Sequence, residues 1–231
     1  MKKLIAIIAL VVVGGGGFGV WYYFVRDDAP EKLTVTSRST VPDTGASSGP
    51  DGTYAVQAGA DTQAGFRINE QFGPLDHTAV VRTDTVSGAF KVAGTTITGV
   101  KLTVDMTTLE SKDEQPDGVF PVSNRIKYLE NDGLQTAKFP TATFEAASIT
   151  LPSAPVKGTK LTVSATGKLT IHGVTKEVTI PLTATWNGAI IDVQGELAVV
   201  LADYDITPPA LPFVDVEGNG ILEFKAALAK G

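Results

Sequence analysis

From Thr53 onward, apolar and polar side chains alternate with period two in several windows. Ala64, Phe66 and Ile68 alternate with Gly65, Arg67 and Asn69; Val100, Leu102, Val104 and Met106 alternate with Lys101, Thr103 and Asp105. Leu161, Val163, Ala165, Gly167, Leu169 and Ile171 share one parity, as do Val178, Ile180, Leu182, Ala184 and Trp186. Leu197, Val199 and Leu201 form a further set, and Leu222, Phe224, Ala226 and Leu228 another. Successive side chains of a strand point to opposite faces, so each set predicts one apolar strand face. Turn signals at Asn187-Gly188, Gly218-Asn219 and Pro152 to Gly158 separate the runs. The pattern predicts an all-β domain of about eight antiparallel strands. Alternation alone fits a barrel or a sandwich.

One stretch breaks the pattern. Pro121 to Asp132 has helical spacing, with Ser123 as N-cap, Ile126, Tyr128 and Leu129 on one face, and Gly133 as its end. A single helix in a β run predicts a plug or side cover for a barrel.

The N-terminal quarter is different. Leu4 to Val25 is 22 residues without charge, which as a helix spans about 33 Å, slightly more than a hydrocarbon core. Lys2 and Lys3 precede it, Arg26, Asp27 and Asp28 follow it, and Trp21, Tyr22 and Tyr23 sit where an aromatic belt would. Residues 1–25 are therefore expected to be a single-pass membrane anchor with a cytoplasmic N-terminus. The competing reading is a signal segment cleaved near Gly14 to Gly17, leaving a secreted domain. Either reading takes the domain out of the cytoplasm. Residues 26–52 are rich in Pro, Ser, Thr, Gly and Asp and read as a flexible tether of roughly 30 Å end to end. Residues 53–231 are the domain.

Composition narrows the chemistry. There is no cysteine, so disulfides, thiol catalysis and a lipidated cysteine are excluded. The net charge is −6, all of it from Thr53 onward, where 14 Lys/Arg face 20 Asp/Glu. No basic stripe exists, which argues against nucleic acid. His77 and His172 both read as turn residues remote from each other, so no metal site is expected. No nucleophile elbow occurs. Asp203, Asp205, Asp113 and Glu114 read as solvated turn charges rather than a catalytic pair. The expectation is a binding protein that is not an enzyme and uses no cofactor.

Gly167-Lys168-Leu169-Thr170-Ile171-His172-Gly173-Val174-Thr175-Lys176-Glu177-Val178-Thr179 is the longest of three stretches that resemble the YceI-like family. Phe139-Pro140-Thr141-Ala142-Thr143-Phe144 follows the expected helix, and Val86 to Phe90 with Val104 to Leu109 matches an early strand and turn. Tyr204-Asp205-Ile206 with Pro208-Pro209 is a weaker match. The resemblance implies an extended, lipocalin-like, eight-stranded antiparallel barrel around a long apolar tunnel that holds a polyisoprenoid or similar long-chain amphiphile. In the family's first hairpin this chain keeps Phe66 but has neither histidine, and Ser123-Asn124-Arg125 keeps only the arginine of an Arg-Asp pair. These departures concern headgroup contacts rather than the tunnel.

An eight-stranded barrel is either filled by its own side chains or holds one small ligand. The residues alone leave both open, although Ala64, Ala142, Ala146, Ala165, Gly167, Ala184 and Gly195 are small and favour a cavity. On the resemblance, Phe66, Ile68, Phe90, Leu102, Val104, Phe144, Leu169, Leu182, Trp186 and Phe213 are the expected apolar lining of a lipid site. The alternative is a scaffold barrel whose charged loop Leu109 to Val122 meets a protein partner.

Overall fold

In the computed structural model, residues 29–35, 38, 49–59, 61–72, 75–112, 122–210 and 214–231 are described. The apolar run Leu4–Val25, most of the loop from Leu109 to Val122, and Phe213 lie outside them. The described chain forms β1 (Gly52–Val56), β2 (Gln63–Phe72), β3 (Leu75–Thr83), β4 (Val86–Ala93), β5 (Thr96–Asp105), β6 (Glu110–Ser111), helix α1 (Val122–Asn131), β7 (Thr141–Thr150), β8 (Lys160–Ile171), β9 (Val174–Trp186), β10 (Ile190–Val200) and β11 (Val214–Lys230). Short 3-10 turns follow β5 and β10.

The segments assemble into eight staves. β1 and β2 run in series as one stave, against β4 and β3 respectively, and β5 with β6 forms the third. β7 to β11 supply the rest, each antiparallel to the next. The ring closes because β11 pairs with β10 along one edge and with both β1 and β2 along the other. The result is a closed eight-stranded antiparallel barrel. Thr62 sits in the jog between β1 and β2, fully buried; its hydroxyl donates to Gln57 O (2.6 Å) and accepts from Ala227 N (3.1 Å). The ladder interrupted there is restored by a side chain.

Several local readings differ from the sequence expectation. Gly218-Asn219 is not a turn: β11 runs through it with a register shift between Val216 and Gly220, a bulge. His77 lies within β3, paired in register with Glu70, whereas His172 is in a turn as expected. That turn is tight, with φ of 51° at His172 and 76° at Gly173. Positive φ at both central residues suits the twist of a two-residue hairpin. Helix α1 begins at Val122, so Ser123 lies inside it rather than capping it. Gly133 does follow the helix, and its N–H donates to Tyr128 O (2.9 Å). A Cβ there would lie 2.8 Å from the Tyr128 ring.

The largest departure concerns the tether. Residues 29–35 and Arg38 are strapped along the outer wall. Lys32 pairs with Glu196 (2.8 Å), Val35 N–H donates to Gln194 Oε1 (2.6 Å), and Arg38 pairs with Asp192 (2.9 Å). These partners are alternate, outward-facing residues of β10. Leu33 is buried, its N–H donating to Glu223 Oε2 (3.2 Å). Arg67 and Arg82 donate to the carbonyls of Pro30 and Glu31, both at 2.6 Å. At residues 29–35 the segment is therefore part of the domain rather than a free linker.

Candidate functional site

The apolar strand faces point inward. On β5, β8, β9, β10 and β11 the inward sets are those that the alternation groups together, and their side chains form one continuous interior. At one end Tyr54, Val92, Trp186, Ile191 and Leu228 pack into a closed floor. At the other, Leu109, Leu134, Tyr204 and Ile206 gather beneath α1, with Ile126 and Leu129 of the helix against them. The helix thus covers one barrel end.

Between floor and cover lies a cavity of about 430 Å³. Phe66, Phe90, Leu102, Val104, Phe144, Leu182, Leu222 and Phe224 all point into it, yet none is fully buried. Inward apolar side chains that retain accessible surface face a void, because a filled core would bury them. Of the ten lining residues expected from sequence, the structure brings nine together on this cavity: Phe66, Ile68, Phe90, Leu102, Val104, Phe144, Leu169, Leu182 and Trp186. Phe213 lies outside the described residues.

The small residues act in two ways. Ala64, Ala142 and Ala184 line the cavity and leave room in it. Gly167 and Gly195 instead make room for rings. A Cβ on Gly167 would lie 2.7 Å from the Phe144 ring, and one on Gly195 would lie 2.8 Å from the Phe224 ring. Ala146 and Ala165 are buried in a side cluster with Val100 and Ile149.

Charge is sparse along the wall. Glu70 and Arg125 pair at 2.9 Å at the α1 end, where Arg125 also donates to Ser111 Oγ (2.7 Å). Tyr128 OH donates to Thr207 O (2.8 Å), tying α1 to the segment after β10. Burial pushes the Tyr128 and Tyr204 phenols up from their ordinary value, so both stay neutral near pH 7. Among the described residues no three His, Asp or Glu side chains converge as a metal site would require. The interior offers apolar contact along its length and polar contact at the α1 end.

This geometry can be set against known proteins. The YceI-like domain family matches residues 54–227. The chain belongs to the YceI-like family. Among solved structures, this YceI-like barrel resembles a polyisoprenoid-binding domain from Saccharophagus degradans implicated in plant cell wall breakdown. The two share 17% identity with a TM-score of 0.58, over 77% of this chain and 98% of that one. BcnA of Burkholderia cenocepacia shares 20% identity with a TM-score of 0.49, over 72% of this chain and 96% of that one. A comparison with curated protein sequences gave no match.

The YceI-like barrel also has lining residues that the sequence reading did not single out. Ile180, Leu197, Val199, Leu222 and Phe224 were legible, because they lie on apolar faces the alternation had already marked. Leu134, Tyr204, Ile206, Pro208 and Pro209 line the α1 end from turns and a loop. Segments without periodicity give no signal of which way a side chain points.

Proposed function

We propose that this YceI-like barrel carries one apolar, chain-like lipid, a polyisoprenoid or similar long-chain amphiphile, in its interior. One observation carries the reading: an apolar cavity of about 430 Å³ whose lining side chains retain accessible surface. Burying apolar ligand surface contributes about 25 cal/mol per Å², so a chain of several hundred Å² binds without a charged contact. The function is binding, with a ligand held and released unchanged. The similarity to a domain described as polyisoprenoid-binding supports the same ligand class.

The proposal extends to location. Leu4–Val25 anchors the protein in a membrane with its N-terminus in the cytoplasm, and the barrel works on the extracytoplasmic side. Its spanning length and the Trp21-Tyr22-Tyr23 belt support this. N-terminal sequencing of the mature protein should begin at or near Met1; a start after Gly14 would make the domain secreted instead.

Organic extraction of purified full-length protein followed by mass spectrometry tests the ligand. A stoichiometric long-chain lipid is the expected result. Apo protein that also shows no saturable binding of a prenyl probe would overturn the proposal and leave the barrel as a scaffold.

A further inference from the structure

The hairpin of β8 and β9 is joined to the barrel unevenly. Within the hairpin, residues pair continuously from Lys160↔Thr185 to Ile171↔Val174. Its outer edges are barely held. β8 pairs with β7 only at Thr143↔Thr170, Phe144↔Leu169 and Glu145↔Lys168. β9 pairs with β10 only from Ile191↔Trp186 to Gly195↔Leu182. By contrast β10 pairs with β11 along its whole length, from Ile190↔Ala229 to Val200↔Asn219. Two wedge-shaped seams therefore flank the hairpin, one toward the Trp186 end and one toward the α1 end.

The second seam has a cause in the sequence. Its ladder stops at Leu182, and the next residue of β9 is Pro181. Proline has no N–H to donate and sits where a ladder is lost. Beyond it, Val174 to Pro181 of β9 and Glu196 to Val200 of β10 face each other without ladder pairing.

The two seams are closed differently. Toward the Trp186 end, Ala146, Ile149 and Ala165 are buried in one cluster, and the connection after β7 crosses the floor, where Gly158 N–H donates to Trp186 O (2.7 Å). Toward the α1 end, Val178, Leu197 and Val199 remain half-buried. Leu197 and Val199 line the cavity, as does Ile180 on the opposite bank. This seam is latched at its wide end. His172 Nδ1 lies 3.0 Å from Tyr204 O, and because a carbonyl only accepts, Nδ1 carries the proton. An exposed Lys176–Asp203 pair at 3.7 Å lies alongside and contributes little.

Resting on the lipid-binding reading above, we propose that the ligand passes sideways between β9 and β10 as the β8–β9 hairpin swings away from β10, with His172–Tyr204 as the latch. Opening this seam breaks that hydrogen bond, the weak ion pair and apolar contacts, but no β9–β10 ladder. A prenyl or acyl chain passing through supplies apolar contacts in place of those it parts. Opening β10 from β11 would break a complete ladder.

The chain has no cysteine, so paired substitutions can be bridged selectively. Continuing the register of Gly195↔Leu182 sets Ala198 opposite Thr179, both exposed on the outer wall. Full-length protein carrying Thr179→Cys and Ala198→Cys is reconstituted in phosphatidylcholine vesicles and bridged with a short bis-maleimide. Trp21→Phe leaves Trp186, in the tunnel, as the one tryptophan of two. Energy transfer from Trp186 to cis-parinaric acid, a polyene fatty acid, then reports loading and release by stopped flow. Thr98→Cys with Ser148→Cys, bridged across paired and exposed positions of β5 and β7, is the control.

The seam bridge should slow loading and release about tenfold or more while the control bridge leaves both near their unbridged rates. His172→Asn should speed both, since asparagine tolerates the left-handed turn but does not reach Tyr204. Equal rates with and without the seam bridge would overturn the lateral route alone. Absence of saturable transfer in the unbridged protein would overturn the lipid reading and this route with it.

Discussion

Arg82 Nη2 lies 2.7 Å from Glu223 Oε1, across a strand that offers only Gly65 between them. Glu223 on β11 is in register with Gly65 on β2, which is in register with Arg82 on β3. A Cβ on Gly65 would collide with the Val81 carbonyl oxygen and Arg82 Cα. Both charges are almost wholly buried, beneath the strap that carries Leu33. Arg82→Ala would leave the Glu223 carboxylate without its main partner, which costs about 3–5 kcal/mol. Chemical denaturation of the two proteins measures this; a loss under about 1 kcal/mol would mean that water reaches the pair.

The orientation of β9 makes a second test. Leu182 points into the cavity, whereas Thr183 is on the other face. Leu182→Asp puts a carboxylate in an apolar interior at a cost of several kcal/mol. Thr183→Asp should cost under about 1 kcal/mol. Lipid content and the thermal midpoint should both fall for Leu182→Asp and hold for Thr183→Asp. Equal losses would show that β9 is not oriented this way in solution.

Strap docking is open to proteolysis. Leu33→Asp places a second carboxylate beside Glu223, at a position that is 6% exposed. Trypsin should then cut after Lys32 and Arg38 at least several-fold faster, because local opening controls access. Unchanged cleavage would mean that the strap does not depend on Leu33.

Alkaline titration probes three tyrosines. Burial raises the phenols of Tyr54, Tyr128 and Tyr204 above the ordinary tyrosine value of about 10. With a raised folded pKa, the folded state holds its proton where the unfolded chain has lost it. Stability is thus fully present below about pH 10 and falls as pH climbs past it. Phenolate absorbance of the native protein should lag that of the denatured chain above pH 10, and the thermal midpoint should drop over the same range. Coincident titration curves would refute this.

Much of the barrel was legible because a strand wall repeats a simple rule. Val178 to Trp186 and Leu161 to Ile171 each reveal their inward face without knowledge of a neighbour. What joins one strand to another is less visible. Pro181 is compatible with one lost ladder bond, but nothing in the sequence shows that β9 leaves β10 from there onward. The Gly218-Asn219 pair has turn chemistry, and the long pairing of β11 with β10 and β2 converts it to a bulge. The strap is not legible in the sequence because Glu31 to Val35 has no surplus of apolar residues. Backbone groups make most of its contacts, to Arg67, Arg82, Gln194 and Glu223, and only Leu33 is buried.

That strap changes the length of a leash. Were all of residues 26–52 slack, the barrel would roam roughly 30 Å from the end of the apolar run. The wall already holds Pro30, so residues 26–29 span at most about 14 Å. Halving a radius shrinks the explored volume by about a factor of ten, and the local molarity of the barrel around its own anchor rises by as much. Arg67 of β2 holds Pro30, and β2 lies across β11 from β10, so the leash leaves the barrel over β2. With Leu4–Val25 in a bilayer, as proposed, one flank of the barrel is kept over the lipid and its search for cargo becomes local.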